Sequence, residues 1–141
     1  MAEENPVLVA LTPEAEASIG GERLVLDHFP FRIGRESRIE MVSGMPRLAE
    51  RRRSGDPNPN NDLYLQDRGR MLNVSRQHLQ IERDGDGGYR VLDRGSACGT
   101  LVGSNKIGGH DAGGECPLKD GDLLVIGTSE SPFVFRFVLQ A

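Results

Sequence analysis

Apolar residues of this chain lie in short runs that polar and glycine-rich segments separate. Several runs alternate apolar and polar positions, as where Gln80 stands between Leu79 and Ile81. A two-residue period places alternate side chains on opposite faces, which is typical of a half-buried β-strand. We therefore predict about ten to eleven short strands. The predicted strands cover residues 7–11, 23–27, 29–33, 63–65, 79–82, 89–92, 100–102, 106–107, 123–126 and 133–139.

The segments between these runs predict turns. Residues 84–88 are typical of a hairpin loop, and residues 103–114 are rich in turn-forming residues. Residues 14–22 are acidic, small and glycine-rich, so we predict a turn there, with 16–19 as a weak extension of a strand. Many short strands joined by tight turns predict an all-β fold, a β sandwich of two twisted, mainly antiparallel sheets.

The segment 37–61 departs from this regular spacing. Residues 45–53 have a weakly amphipathic pattern, and a polar stretch with two prolines follows them. Residues 41–61 hold four arginines against two acidic residues, a net charge of +2. Loops this long are uncommon in compact domains and are usually functional or disordered. We predict a flexible insertion over 41–61, whose arginines at 51–53 form either a solvated, mobile run or an arm that contacts a partner.

The composition agrees with one β-rich domain over residues 1–141, with a core of about 5–139. Glycine, at 18 of 141 residues, is about twice its usual share of ~7%, which fits many tight turns. Cys98 and Cys116 form neither a C-x-x-C pair nor a zinc spacing, so we expect two free thiols. Because we find no signal-peptide pattern and no apolar run near ~18 residues, we expect a soluble, cytoplasmic monomer without membrane contact.

Three short motifs follow one another along the predicted strands. The first is FRIGRE at 31–36, with a Gly-Arg pair, and the second is NVSRQH at 73–78, with Ser-x-x-His. The third is LDRGSACGTLV at 92–102, with a Gly-Thr pair. This ordered set on an all-β background resembles the forkhead-associated (FHA) domain family, and the resemblance covers about residues 5–139.

The resemblance implies a phosphothreonine-peptide-binding module whose binding loops lie at one end of the sandwich, with no catalysis, cofactor or metal. Arg35, Ser75 and Arg76 match the positions that bind the phosphate. A guanidinium can grip phosphate oxygens through two parallel hydrogen bonds, and phosphothreonine carries about −1.5 to −2 charges near pH 7. The resemblance gives His78 the role of bracing the loop from behind. The matching support positions are Gly34, His78, Gly99 and Thr100.

Two positions depart from the family pattern. The peptide-binding positions are Gln77, Ala97 and Cys98, and family members usually have Asn in place of Cys98 and a polar residue in place of Ala97. That Asn holds the main chain of the bound peptide, whereas Cys is a weak donor and acceptor. We expect a phosphothreonine-containing partner in signalling, either the substrate of a Ser/Thr kinase or the kinase itself. The alternative is a phospho-independent assembly domain of the same fold with a degenerate peptide site.

Other functional classes have weaker support. Ser75 and His78 lack a third residue and the nucleophile-elbow context that a nucleophilic serine needs. The phosphate-binding pattern Gly-x-x-x-x-Gly-Lys-Ser/Thr is absent. Nucleic-acid binding would depend on the arginines at 51–53, but the net charge is −4 and aromatic residues for base stacking are few. We therefore predict a protein that is not an enzyme and does not bind nucleic acid.

Overall fold

Two β-sheets dominate the computed structural model, which describes residues 5–35, 39–48, 61–67, 73–110 and 113–139. One sheet has six strands and the other five, and a two-stranded hairpin is separate from both. The elements in chain order are β1 (Val7–Ala10), α1 (Pro13–Ile19), β2 (Arg23–Val25), β3 (Phe31–Arg35), β4 (Ile39–Val42), β5 (Met45–Leu48), β6 (Leu63–Leu65), β7 (Leu79–Arg83), β8 (Tyr89–Asp93), β9 (Thr100–Val102), β10 (Asn105–Ile107), β11 (Gly114–Leu118), β12 (Leu123–Ile126) and β13 (Val134–Val138).

The strand order confirms the predicted all-β sandwich of two mainly antiparallel sheets. The six-stranded sheet has the order β10-β9-β12-β13-β1-β2, and the five-stranded sheet has the order β11-β8-β7-β3-β6. Within the described residues every strand pair is antiparallel except β3 and β6, where Ile33 lies opposite Leu63. The two sheets together contain 11 strands, in agreement with the ten to eleven predicted from the apolar runs.

Buried and exposed side chains alternate along the strands, and the buried ones form a core between the two sheets. In β13, Phe135 and Phe137 are fully buried, whereas Arg136 between them is exposed. In β7 of the other sheet, Leu79 and Ile81 are also fully buried and belong to the same apolar cluster. Each large apolar side chain buried in this way stabilises the fold by about 1.5–3 kcal/mol. The core therefore fixes which residues of each strand remain for the outer faces and the loops.

Residues 13–19 form a helix, so the predicted turn is wrong over 14–19 and the strand extension at 16–19 is also wrong, whereas residues 20–22 do form a turn. Thr12 caps the helix: its backbone is extended, and its side chain accepts a hydrogen bond from the Ala15 N–H at 3.2 Å. Proline at the first helical position costs no hydrogen bond, because that N–H has no partner within the helix. The local sequence therefore contains a helix start of the usual kind.

The same helix ends in a left-handed residue, Gly20, with φ of 73°. Ala15 is fully buried and joins the core cluster, which anchors this short element to the sandwich. Packing against the core stabilises a helix of this length, since isolated short helices are marginal in water. Among the described residues, no helix has the length and apolar character needed to cross a membrane.

The predicted insertion 41–61 begins with regular backbone. β4 and β5 pair antiparallel, with Ile39 opposite Leu48, through a turn in which Ser43 and Gly44 have positive φ. The amphipathic pattern predicted from residue 45 is therefore wrong at 45–48, which form a strand. Residues 49–60 lie outside the described part of the chain, and a flexible insertion there stays a prediction.

The strand β11 was not predicted from the sequence, because Gly114 and Pro117 are poor strand formers. The strand lies at the edge of its sheet and pairs with β8 alone. An edge strand tolerates proline, since the missing N–H can face away from the ladder. Cys116 of β11 is buried and Cys98 is partly exposed, and the two cysteines do not form a disulfide.

The cap at Thr12 gives a direct test of the helix. Thr12→Ala removes the acceptor of the Ala15 N–H and the hydroxyl that donates to the Pro132 carbonyl. We expect the free energy of unfolding in urea to fall by about 1–2 kcal/mol. Thr12→Ser keeps the hydroxyl and should stay within about 0.5 kcal/mol of the wild type. Equal stability of the wild type and Thr12→Ala would contradict the cap.

Candidate functional site

The end of β3 lies directly against the Ser-x-x-His loop. The Arg35 N–H donates to the Ser75 carbonyl at 2.9 Å, and Nε of Arg35 donates to the Val74 carbonyl at 2.9 Å. Arg35 is only 7% exposed, so its guanidinium is packed onto the loop. Gly34 permits this approach, because a Cβ there would lie 2.1 Å from the Arg76 carbonyl oxygen. The Gly-Arg pair therefore ends a strand and holds the loop backbone.

A buried carboxylate fixes the start of this loop. Asp67 is 5% exposed and accepts hydrogen bonds from the Asn73 N–H at 2.7 Å and the Val74 N–H at 3.1 Å. The Val74 side chain is buried in the core cluster. Buried backbone donors need acceptors, and one carboxylate supplies two of them here. This contact was not predicted, since the partners of Asp67 lie six and seven residues away along the chain.

His78 joins the Ser-x-x-His loop to the Gly-Thr loop. Its Nδ1 accepts from the Ser75 N–H at 2.9 Å, and its Nε2 lies 2.7 Å from the Gly99 carbonyl. Because Nδ1 accepts, the proton of a neutral ring is on Nε2, which donates to Gly99. The side chain is fully buried, and burial lowers the pKa of His78 although the Gly99 carbonyl and Asp93 act in the opposite direction. The folded state therefore favours the neutral imidazole.

A second buried carboxylate shapes the Gly-Thr loop. Asp93 accepts from the Ser96 N–H at 2.8 Å, the Ser96 hydroxyl at 2.6 Å and the Thr100 hydroxyl at 3.0 Å. Gly108 of the next loop packs against this carboxylate, because a Cβ there would lie 2.3 Å from the Asp93 Cγ. Gly99 has φ of 86°, a left-handed conformation that favours glycine. Asp93 belongs to the third sequence motif, but its role was not predicted.

The two loops meet at Ser75 and Ala97. The Ala97 N–H donates to the Ser75 hydroxyl oxygen at 3.0 Å, and the Ala97 carbonyl accepts from the His110 N–H at 2.9 Å. Ala97 is exposed, whereas Ser75 and Cys98 are partly exposed. Arg76 and Gln77, which follow Ser75, are also partly exposed. The structure therefore brings the positions predicted for phosphate and for peptide to one place.

Asn61 supports the site from a third segment, and its role was not predicted from the sequence. Its Nδ2 donates to the Arg76 carbonyl at 2.6 Å, and its Oδ1 accepts from the Arg94 guanidinium at 3.2 Å. Burial and the neighbouring Arg32 lower the pKa of Arg94, yet an arginine stays charged in proteins. Asn61 ends a polar stretch of the sequence, and nothing local to it indicates a partner 15 residues away.

Comparison with known proteins identifies the family. A family model described as "FHA domain" matches residues 31–127, which is more than half of the chain and includes all three motifs. The chain therefore belongs to the FHA domain family. A comparison with curated protein sequences finds no match.

Solved FHA structures share the fold at low sequence identity. The FHA domain of the CT664 protein from Chlamydia trachomatis is 21% identical, with 97% of this chain and 99% of that chain covered and a TM-score of 0.58. The kinase-interacting FHA domain of the kinase associated protein phosphatase of Arabidopsis is 22% identical, with coverages of 100% and 99% and a TM-score of 0.59. An engineered FHA domain with a Myc-pTBD peptide is 16% identical, with coverages of 99% and 94% and a TM-score of 0.58.

Membership of the family defines the class of protein. FHA domains are interaction modules rather than enzymes, and they are known for binding phosphopeptides. The predicted family and fold are therefore confirmed. Within the described residues, no group of three or more His, Cys, Asp or Glu side chains is placed to hold a metal ion.

The buried His78 predicts a loss of stability in mild acid. An unfolded histidine titrates near about pH 6.5, whereas burial lowers the pKa of His78 in the folded state. The unfolded chain therefore binds more protons below about pH 6.5, so the stability is fully present above that pH and falls as the pH drops toward the folded pKa. We expect urea denaturation to give a smaller free energy of unfolding at about pH 5.5 than at about pH 7.5.

Two histidine variants test whether His78 causes the loss of stability in acid. His78→Gln should lose about 2–4 kcal/mol at about pH 7.5 through its two hydrogen bonds, and should lose most of the pH dependence. His28 is exposed, and hydrogen bonds to Asp27 and Asp62 raise its pKa, which is a shift of the opposite sign. His28→Gln should therefore keep the loss of stability in acid. A full pH dependence in His78→Gln would show that another group causes it.

Proposed function

We propose that this domain recognises phosphothreonine-containing peptides and thereby mediates phosphorylation-dependent protein–protein interaction in signalling. The observation that carries this proposal is the contact of Arg35 with the loop of Ser75. The Nε bond to the Val74 carbonyl fixes the guanidinium beside that loop, and the Arg35 N–H binds the Ser75 carbonyl. A preorganised cation next to a hydroxyl donor suits a phosphate group.

The chemistry of the three phosphate-binding candidates supports an anion site. The Ser75 hydroxyl accepts a hydrogen bond from the Ala97 N–H, and a hydroxyl can also donate its own proton to an anion. Arg35 contributes a planar guanidinium, and Arg76 adds a second positive charge from the same loop. A phosphothreonine dianion has three acceptor oxygens, which such donors can share without a metal or a bond-breaking step.

The side chains proposed to bind the peptide beyond the phosphate offer weaker hydrogen-bonding groups than those proposed to bind the phosphate. Gln77 is the longest polar side chain among the predicted peptide-binding residues. Ala97 is exposed but has no polar side-chain atom, and the thiol of Cys98 is a weak hydrogen-bonding group. We infer that affinity depends mostly on the phosphate. Ala97 and Cys98 are also the observation that favours the second candidate, a phospho-independent assembly domain of the same fold.

Relatives indicate the kind of partner. One solved relative is described as a kinase-interacting FHA domain, and another as an engineered FHA domain with a Myc-pTBD peptide. By analogy we propose that the partner of this chain is a phosphothreonine protein, either the substrate of a Ser/Thr kinase or the kinase itself. Cys98 and Cys116 do not form a disulfide, which suits the reducing, cytoplasmic location that we propose, and we expect a monomer.

The central test is the loss of binding in Arg35→Ala. Charge-assisted hydrogen bonds contribute about 1.5–3 kcal/mol each, so we expect calorimetry to give at least about ten-fold weaker binding of a phosphothreonine peptide. Arg83→Ala is the matched control, because Arg83 is an exposed arginine at the far end of β7 from the Ser-x-x-His loop, and its affinity should equal that of the wild type. A thermal melt must show that Arg35→Ala is folded at the temperature of the titration. Unchanged affinity in the folded variant would refute the assignment.

Cys98→Asn tests whether position 98 contacts the main chain of the bound peptide. Asn can hydrogen-bond the peptide main chain, and each bond contributes about 0.5–1.5 kcal/mol, so binding should tighten several-fold. Cys98→Ser is the matched control for a small polar group without an amide.

The affinity of the wild type should also fall with added salt, because salt screens the contacts between charged groups. It should fall below about pH 6 as well, because the phosphate takes up its second proton there.

The outcomes of this titration separate the two candidate functions. Equal binding by the wild type and Cys98→Asn would mean that Cys98 does not face the peptide. If the wild type binds no phosphopeptide from a broad library while the fold is intact, the assembly function replaces the phosphopeptide function. Binding that is equally tight without the phosphate would lead to the same conclusion.

A further inference from the structure

The outer face of the six-stranded sheet carries apolar side chains where solvated polar ones are expected. In β13 and β12 the core-facing residues alternate with outward ones. The strand register aligns Val7 and Val9 of β1 with these outward residues in rows across the sheet, and Val7 is buried. Val25 is 48% exposed and Leu123 is 38% exposed. We call this surface the outer apolar face. Its apolar outward residues include Val9, Val25, Leu123, Val125, Val134 and Val138.

The other sheet of the same sandwich provides an internal comparison. Its outward positions include Arg32, Gln80, Glu82, Arg90 and Glu115. Arg90 lies 2.7 Å from Glu82 and 3.1 Å from Glu115, so ion pairs run across these strands. A polar, charged outer face is the usual state of an antiparallel sheet with one side in water. The apolar side chains at outward positions of the described strands of this five-stranded sheet are Tyr64, Leu92 and Pro117. The six-stranded sheet therefore has the more apolar outer face of the two.

The charges on the outer apolar face have one sign. Arg23 and Arg136 lie in one row, on either side of Val9, and Lys106 lies opposite Leu101 in another. No outward position of the six paired strands is acidic, although the whole chain has a net charge of −4. The face therefore complements a surface that is aliphatic and negatively charged.

We propose that the outer apolar face is a second docking surface of this domain, for an amphipathic helix of a partner protein that has an aliphatic stripe and acidic margins. The strands of this face already pair with each other, so an occupant contacts side chains and needs no free sheet edge. A sheet with an apolar face is commonly covered by a helix with an apolar stripe. Aspartate or glutamate at the margins of that helix would pair with the three basic side chains.

The size and charge of the face argue against a second copy of this chain. Six strands span about 24 Å and three outward residues span about 14 Å along a strand, a footprint on the order of 300 Å². Patches of this size on monomers are often functional, whereas a stable dimer buries roughly 800 Å² per subunit. A symmetric dimer through this face would also bring arginines toward arginines. The footprint fits a weak, reversible complex with one helix.

A synthetic amphipathic helical peptide tests the proposal. Isotope-labelled protein is titrated with a peptide that has leucines along one face and glutamates at both margins, and with a matched peptide that has lysines at the margins. The glutamate peptide should shift the amide signals of β1, β2, β12 and β13, and should bind at least ten-fold more tightly than the lysine peptide. In Arg23→Glu/Arg136→Glu this preference should reverse. Lys119→Glu, in the turn after β11, should change neither affinity.

Two further measurements decide the remaining outcomes. Val25→Thr/Leu123→Thr keeps strand-forming residues and should weaken the glutamate peptide several-fold while the melting temperature stays near that of the wild type. Equal binding of both peptides, or signal shifts outside the outer apolar face, would overturn the proposal. Concentration-dependent broadening of the same signals without peptide would identify a second copy as the occupant and would also overturn it. Phosphopeptide affinity is measured separately, so failure of either function is distinguishable.

Discussion

The buried imidazole of His78 is the contact on which the geometry of the candidate site depends. It accepts from the Ser75 N–H and donates to the Gly99 carbonyl, so one side chain sets the distance between two loops. Only the neutral ring can do both, because a protonated ring has no acceptor. Burial in the sandwich lowers the pKa of His78 and thereby keeps the ring neutral. The apolar core therefore controls the protonation state that the loops require.

Buried hydrogen bonds and close backbone contacts also hold the other parts of the site in place. Loop backbone that approaches the core must find acceptors for its N–H groups, and the buried carboxylates of Asp67 and Asp93 supply them. Gly34 and Gly108 have no Cβ, and each lets a neighbouring polar group approach to a distance that no other residue allows. These residues do not contact a ligand in the proposed function. They determine where Arg35 and Ser75 are held.

The sequence predicted the sandwich because burial of strands produces a two-residue period, as in β7 and β13. It failed at α1, although Thr12 followed by proline is a common helix start, because the segment is too short for a 3.6-residue period to emerge. Ser75 and His78 were found through a motif whose parts lie close together in the chain. Asn61 could not be found, since its partners Arg76 and Arg94 come from distant segments. Contacts that depend on the tertiary fold have no local signal.

The residues proposed to bind the phosphate and those proposed to bind the rest of the peptide are held in place by different contacts. Arg35 and Ser75 are held in place by backbone hydrogen bonds, by the close approach of the Arg76 carbonyl to Gly34, and by buried carboxylates. Their arrangement therefore depends on the whole sandwich. The proposed peptide binding depends on the side chains at Ala97 and Cys98, and position 97 can change with little effect on the core because Ala97 is exposed. Selection can therefore alter sequence preference while the phosphate anchor persists. In the proposed function the peptide side chains contribute little to specificity, and the docking that we propose for the outer apolar face would add a second contact through avidity.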